Sequence, residues 1–302
     1  MVGRPRGTAV AIWRGSIPSA MGIAWVCRIM LVILLAACMG GLSRPGLASD
    51  VSDAIVALRV FPPRVQLDSA RDQQRILVQG ERADGVTLEL SAEATVTVGD
   101  ASLATVEPAS AAGGRRLPLV RPVADGETRL TVQCCGLTCE LPITVTNAAA
   151  SRPLSFRLDV MPVFARGGCN MGSCHGAARG KDGFRLSLFG FDPAGDYQRI
   201  TRELPGRRID LGDPVASLLV QKAVGAVAHT GGKRFAIDSD LAQTLIHWIE
   251  AGAVDDPKAG ETVPALTGLT LYPPTALLEG AKSNQQLVAV ATFADGTDRD
   301  VT

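Results

Sequence analysis

Residues 169–176 read Cys-Asn-Met-Gly-Ser-Cys-His-Gly. Two thiols followed directly by a histidine are the groups that fasten a c-type haem. The thiols add to the two vinyl groups, and the imidazole ligates iron from one face. The usual motif places two residues between the cysteines, and here there are four. Cys169, Cys174 and His175 are therefore the candidate attachment and ligand residues. The same three side chains, joined by His229, also make a donor set of the type that holds tetrahedral zinc, and the thiols alone suit a disulfide. Spacing leaves these readings open.

The neighbouring sequence frames this segment with two helices. Phe156, Val160, Val163 and Phe164 recur at helical spacing and lead into Cys169. Downstream, Ser239 is a helix cap, and Leu241, Leu245, Trp248 and Ile249 form one apolar stripe that ends at Gly252. His247 falls off that stripe. No methionine follows Met171, so the downstream methionine that often supplies a second axial ligand is missing. His229 and His247 are the remaining imidazoles. Arg207, Arg208, Lys233 and Arg234 are cations that would pair with haem propionates or remain solvated surface charge.

The flanks of this segment read as β-structure and contain a repeat. Leu58-Arg-Val-Phe-Pro-Pro63 matches Leu269-Thr-Leu-Tyr-Pro-Pro274 at a spacing of 211 residues, and Ala83-Asp84-Gly85 then falls on Ala294-Asp295-Gly296 without a gap. In the first copy Leu130, Val132 and Cys134 alternate with polar residues, as do Cys139, Leu141, Ile143 and Val145. Asp84-Gly85, Asp125-Gly126 and Gly136 supply turns. Several short strands in one segment predict a β-sandwich. On the last two strands, Cys134 and Cys139 either form a disulfide or pack as small apolar groups, while Cys135 faces outward without a partner.

Charge and the N-terminus concern location. The chain has 302 residues and a formal charge of zero. Its first 48 residues hold five arginines, no lysine and no acid, so the remainder carries 25 bases against 30 acids. A mildly acidic body excludes nucleic acid as the natural partner. An apolar run from Ile29 to Cys38 follows Arg28. It is shorter than the roughly 20 apolar residues a membrane span needs. With Gly46-Leu47-Ala48 behind it, the run predicts a signal peptide over 1–48, cut after Ala48, and no spanning segment afterwards. Leu35-Ala36-Ala37-Cys38 offers the alternative of a lipid anchor at Cys38. The protein is thus expected to be exported, to the periplasm or the cell surface. There, cysteines become disulfides, metal ligands or attachment points.

The runs Cys169 to Leu188, Phe189-Gly-Phe-Asp-Pro-Ala-Gly-Asp-Tyr197 and His229-Thr-Gly-Gly-Lys-Arg-Phe235 resemble the cytochrome c-like domain of large exported planctomycete proteins. In that family the domain sits among bacterial immunoglobulin-like (Big) domains, which the repeated modules also resemble. The resemblance implies a multi-domain chain: a signal peptide at 1–48, an all-β immunoglobulin-like sandwich at 52–147, a mainly α cytochrome c-like haem domain at 152–256, and the start of a second sandwich at 266–302. It implies one covalent haem c held by Cys169, Cys174 and His175, with His229 as the second metal ligand, because the family loop carries its ligand there. Two axial histidines favour electron transfer or redox sensing. The redox partner is not specified, and the immunoglobulin-like modules would make protein or polysaccharide contacts at the cell surface. The alternative is a zinc- or disulfide-stabilised structural or adhesion protein without haem. No G-x-S-x-G, phosphate loop or H-E-x-x-H is present, so this chain shows no catalytic set.

Overall fold

The computed structural model describes residues 54–109, 117–256 and 264–302. The signal peptide expected at 1–48 and the Cys38 anchor lie outside the described residues. No described helix is long and apolar enough to cross a membrane.

The first β body contains ten strands. They are β1 (Ile55–Phe61), β2 (Val65–Leu67), β3 (Gln74–Arg75), β4 (Leu77–Arg82), β5 (Thr87–Glu89), β6 (Thr95–Val98), β7 (Ala104–Glu107), β8 (Leu119–Pro122), β9 (Gly126–Cys134) and β10 (Leu137–Val145). Three small sheets result, ordered β1-β4-β5, β2-β10-β9-β6 and β3-β8-β7. Strand alternation fixes their inner faces: Leu130, Val132 and Cys134 of β9 are buried, and so are Leu141, Ile143 and Val145 of β10. These side chains share one core with Val60, Leu67, Ile76 and Val78.

The second β segment is β11 (Leu266–Tyr272), β12 (Val288–Phe293) and β13 (Asp298–Asp300), paired in that order. A shift of 211 residues lays β1 on β11, β4 on β12 and β5 on β13, end for end. The register irregularity at Ile55/Ala57 recurs at Leu266/Gly268. The two copies pack against each other. Phe61 stacks on its own counterpart Tyr272 at 5.5 Å between ring centroids. Leu77 and its counterpart Val288 join one cluster. The Arg75–Asp300 ion pair, 3.0 Å, is mirrored by Gln286 donating to Glu89, 3.1 Å. These three contacts of one copy are answered by the equivalent residues of the other, whereas the Arg64–Asp298 and Arg82–Glu279 pairs have no such counterpart.

Between these segments, residues 152–256 correct the sequence expectation of a mainly α cytochrome c-like domain. Helices here are few and short: a π-helical turn, Phe156–Val160, running into α1 (Met161–Arg166), then α2 (Pro193–Thr201), α3 (Leu218–Val224) and α4 (Asp240–Glu250). Among the described residues strands outweigh helices, and the sheets number four. The physical cause is the density of helix breakers. Gly168, Gly180, Gly183 and Gly190 all adopt positive φ between α1 and α2, a conformation that ends a helix and costs other residues steric strain. The first body is all-β as expected, with its described strands in three small sheets rather than the two of an immunoglobulin sandwich.

Helix packing rather than helix length holds the middle segment. Trp248, Leu245, Ile249 and Ala242 of α4 pack on Phe156, Val160 and Phe164 in one core. Ser239 caps α4 by accepting from the Ala242 amide at 3.3 Å. Asp256 accepts from the amides of Phe156 and Arg157, both at 2.8 Å. Its carboxylate thereby satisfies free donors at the start of the first helical turn and ties the two ends of the segment together.

Candidate functional site

Beside this core lies an open cleft with a cavity volume of about 90 Å³. Its apolar wall comes from Phe164 of α1, Leu218, Leu219 and Ala223 of α3, Leu245 of α4, and Phe235. Cys169, His175 and His229 open onto it, and Lys181, Arg207 and Lys222 contribute cationic groups.

Backbone turns aim the Cys-His segment. After α1, the Cys169 amide bonds to Phe164 O at 2.8 Å, and the His175 amide returns to Cys169 O at 3.0 Å. The chain from Cys169 to His175 is therefore a closed loop. Gly176 is demanded by its tightness: a Cβ there would lie 2.1 Å from Asn170 O. The second loop, carrying His229, is fastened by Arg234. Its guanidinium donates to Gly231 O at 3.1 Å and to Gly167 O, 2.6 Å away, at the end of α1. Arg234 thus sets the distance between the two histidine-bearing loops.

The two imidazoles face each other with ring planes 6° apart and centroids separated by 6.2 Å. Each has its Nδ1 at 3.0 Å from a backbone carbonyl, Phe184 O for His175 and Gly232 O for His229. A carbonyl only accepts, so Nδ1 carries the proton in both rings, and both Nε2 lone pairs are left for a ligand. This second-sphere arrangement is the one that orients metal-ligating histidines. Burial lowers the His175 pKa, against the opposing effect of the Phe184 carbonyl, and so favours the neutral imidazole. Burial pushes the Cys169 thiol up to about 11.

The structure brings together three of the four expected site residues on the cleft wall. Cys174 is half-buried beside His175 in the chain but does not line the cleft. Among the described residues, no three His, Cys, Asp or Glu side chains converge to hold a metal ion by themselves. This corrects the reading of a ready-formed metal-binding centre, since Cys169, Cys174, His175 and His229 do not gather as a tetrahedral zinc set. His247 is half-buried on α4 and absent from the cleft. Arg208 also lines the cleft, donating to the carbonyls of Arg199, Glu203 and Gly183 and stacking over Phe184 at 4.7 Å. Sequence reasoning missed Phe184, which supplies both the carbonyl for His175 and a ring 4.7 Å from the imidazole. No local pattern marks it, because it reaches the site through a two-residue reversal at Asp182-Gly183.

Imidazole and thiol donors beside an apolar wall are the kinds of group that a planar tetrapyrrole takes. Such a group brings its own equatorial nitrogens and asks the protein only for axial donors. The apolar wall suits the macrocycle, and Lys181 and Arg207 suit its carboxylates.

No family model and no curated protein matches the chain. Among solved structures, it is similar to domains 4 and 5 of the S-layer protein SbsC, with 21% identity and a TM-score of 0.26 over 30% of this chain and 52% of that one. Domains 1–6 of the surface layer protein SbsC match with 20% identity and a TM-score of 0.27, over 33% of this chain and 14% of that one. The chain therefore spans about half the length of the first of these and a smaller share of the second.

Proposed function

We propose that this chain is an exported protein whose cleft holds one covalently attached haem and that it moves or senses electrons. The observation that carries this reading is the pair His175 and His229, held parallel with both Nε2 atoms free. Haem supplies one-electron chemistry when bound. The chain supplies everything else. Cys169 and Cys174 would provide the two thiols for attachment, and His175 and His229 would hold the iron. Phe164, Leu218, Leu219, Phe235 and Leu245 exclude water from the faces, which together with histidine ligation sets the potential. Lys181 and Arg207 meet the carboxylates at the cleft's edge. Two histidine donors on the iron would favour electron movement over the activation of a small ligand.

The test is expression in a periplasm that contains haem-attachment machinery. A red protein with a Soret band is expected, and Cys174→Ala should lose most of the covalent pigment while Cys139→Ala keeps it. A folded, colourless wild-type chain, or equal pigment in Cys174→Ala, would overturn the reading.

A further inference from the structure

A second pair of thiols lies outside the cleft, at the tip of the β9–β10 hairpin. Cys134 closes β9 opposite Leu137, leaving Cys135 and Gly136 as a two-residue turn. Both turn residues have positive φ, 54° and 77°. That is the geometry of the hairpin turn that Asn-Gly and Asp-Gly usually fill. A cysteine at the first position is not what the turn itself selects. Cys135 is exposed and Cys134 is buried behind it. Their Sγ atoms lie 3.4 Å apart, already in contact.

We propose that Cys134 and Cys135 form a thiol–disulfide exchange site, closing to a vicinal disulfide when a low-molecular-weight disulfide meets the hairpin tip. The exposed Cys135 thiolate attacks one sulfur of the oxidant, forming a mixed disulfide and releasing one thiolate. Cys134 then loses its proton, attacks Cys135 Sγ and expels the second thiolate. The two cysteine sulfurs are oxidised, the S–S bond of the oxidant is reduced, and its two thiolates take up the two protons. Cys139, the remaining thiol of the hairpin, is badly placed to compete. It sits opposite Val132, diagonal to Cys134. Diagonal neighbours lie about 7–8 Å apart, with Cβ atoms somewhat closer, whereas a disulfide needs Cβ atoms roughly 3.5–4.5 Å apart. Burial pushes the Cys134 thiol up to about 11, so closure should be the slow step and should quicken about tenfold per pH unit below that value.

The experiment exposes the full chain to 2-hydroxyethyl disulfide, blocks remaining thiols with N-ethylmaleimide and maps peptides by mass. The expected product is a peptide joining Cys134 to Cys135, short by two hydrogens, with Cys139 carrying the maleimide. The mixed disulfide on Cys135 should precede it and should persist in Cys134→Ser. Cys139→Ser should leave the product unchanged. A crosslink to Cys139, or a mixed disulfide on Cys135 that never closes in the wild-type chain across neutral to alkaline pH, would overturn the proposal.

Discussion

His175 and His229, 54 positions apart in the sequence, present parallel rings whose Nδ1 atoms are each turned to a backbone carbonyl. Neither tautomer depends on the other ring. Each is fixed by its own loop, so the pair is organised before anything enters between them. Such preorganisation lowers the cost of binding, because the protein need not order these groups at the moment of capture.

If His229 completes the axial pair, His229→Ala should open one face of the bound haem. Added imidazole should then shift the absorption spectrum at concentrations at least tenfold below those the wild type requires. His247→Ala should behave as wild type, since His247 lies outside the cleft. Equal imidazole sensitivity in all three proteins would remove His229 from the ligand set.

Cys169 gives a pH signature in chains without attached haem. Burial raises its pKa from the ordinary 9.0 to about 11. The folded state therefore holds a proton that the unfolded state loses earlier. The resulting stability is fully present below about pH 9 and is lost as pH rises toward 11. In the folded chain at pH 8, alkylation of Cys169 should run about 100-fold slower than that of a free thiol. Rapid labelling at that pH would contradict the burial.

Gly176→Ala tests the tightness of the Cys-His loop. The added methyl would meet Asn170 O at 2.1 Å and Met171 O at 2.9 Å, both backbone atoms that cannot rotate away. A loss of about 1–3 kcal/mol in urea unfolding is expected. Haem incorporation should fall more than stability does, because the loop must open to relieve the clash. Wild-type values for both would show that the loop is loose.

Much of the site's frame was legible before any coordinates. Three of the four stripe residues on α4, Leu245, Trp248 and Ile249, are buried as their spacing indicated, with Ala242 and Ile246 added and Leu241 only half-buried. Ser239 caps it. The strand alternation on β9 and β10 set the correct inward faces. The duplication emerged from sequence to the residue, since all three strand pairs coincide under one shift. Helix content was misjudged for a local reason. The helix expected from Phe156 to Phe164 is present as a π turn running straight into α1, and the turn-forming glycines that follow keep the stretch up to α2 from adding a longer helix. The roles of Arg234 and Phe184 were hidden because both act through backbone carbonyls far away in sequence, which no spacing rule encodes.

Trp248 measures how far the cleft depends on the core behind it. It is 1% exposed, packs at 5.3 Å from Phe156 and donates from Nε1 to Val254 O at 2.9 Å. Trp248→Ala should cost about 3–5 kcal/mol, read as a lower urea midpoint with an unchanged slope. A cost below about 1 kcal/mol would mean that the segment 152–256 is not built around this core.

The most direct measurement is the intact mass of the full chain, purified from a periplasm with attachment machinery and denatured before analysis. The account predicts a species heavier than the polypeptide by one haem, coloured after denaturation and lost when Cys169 and Cys174 are both replaced by serine. A chain of unmodified mass that folds, with both thiols free to react with maleimide, would contradict it.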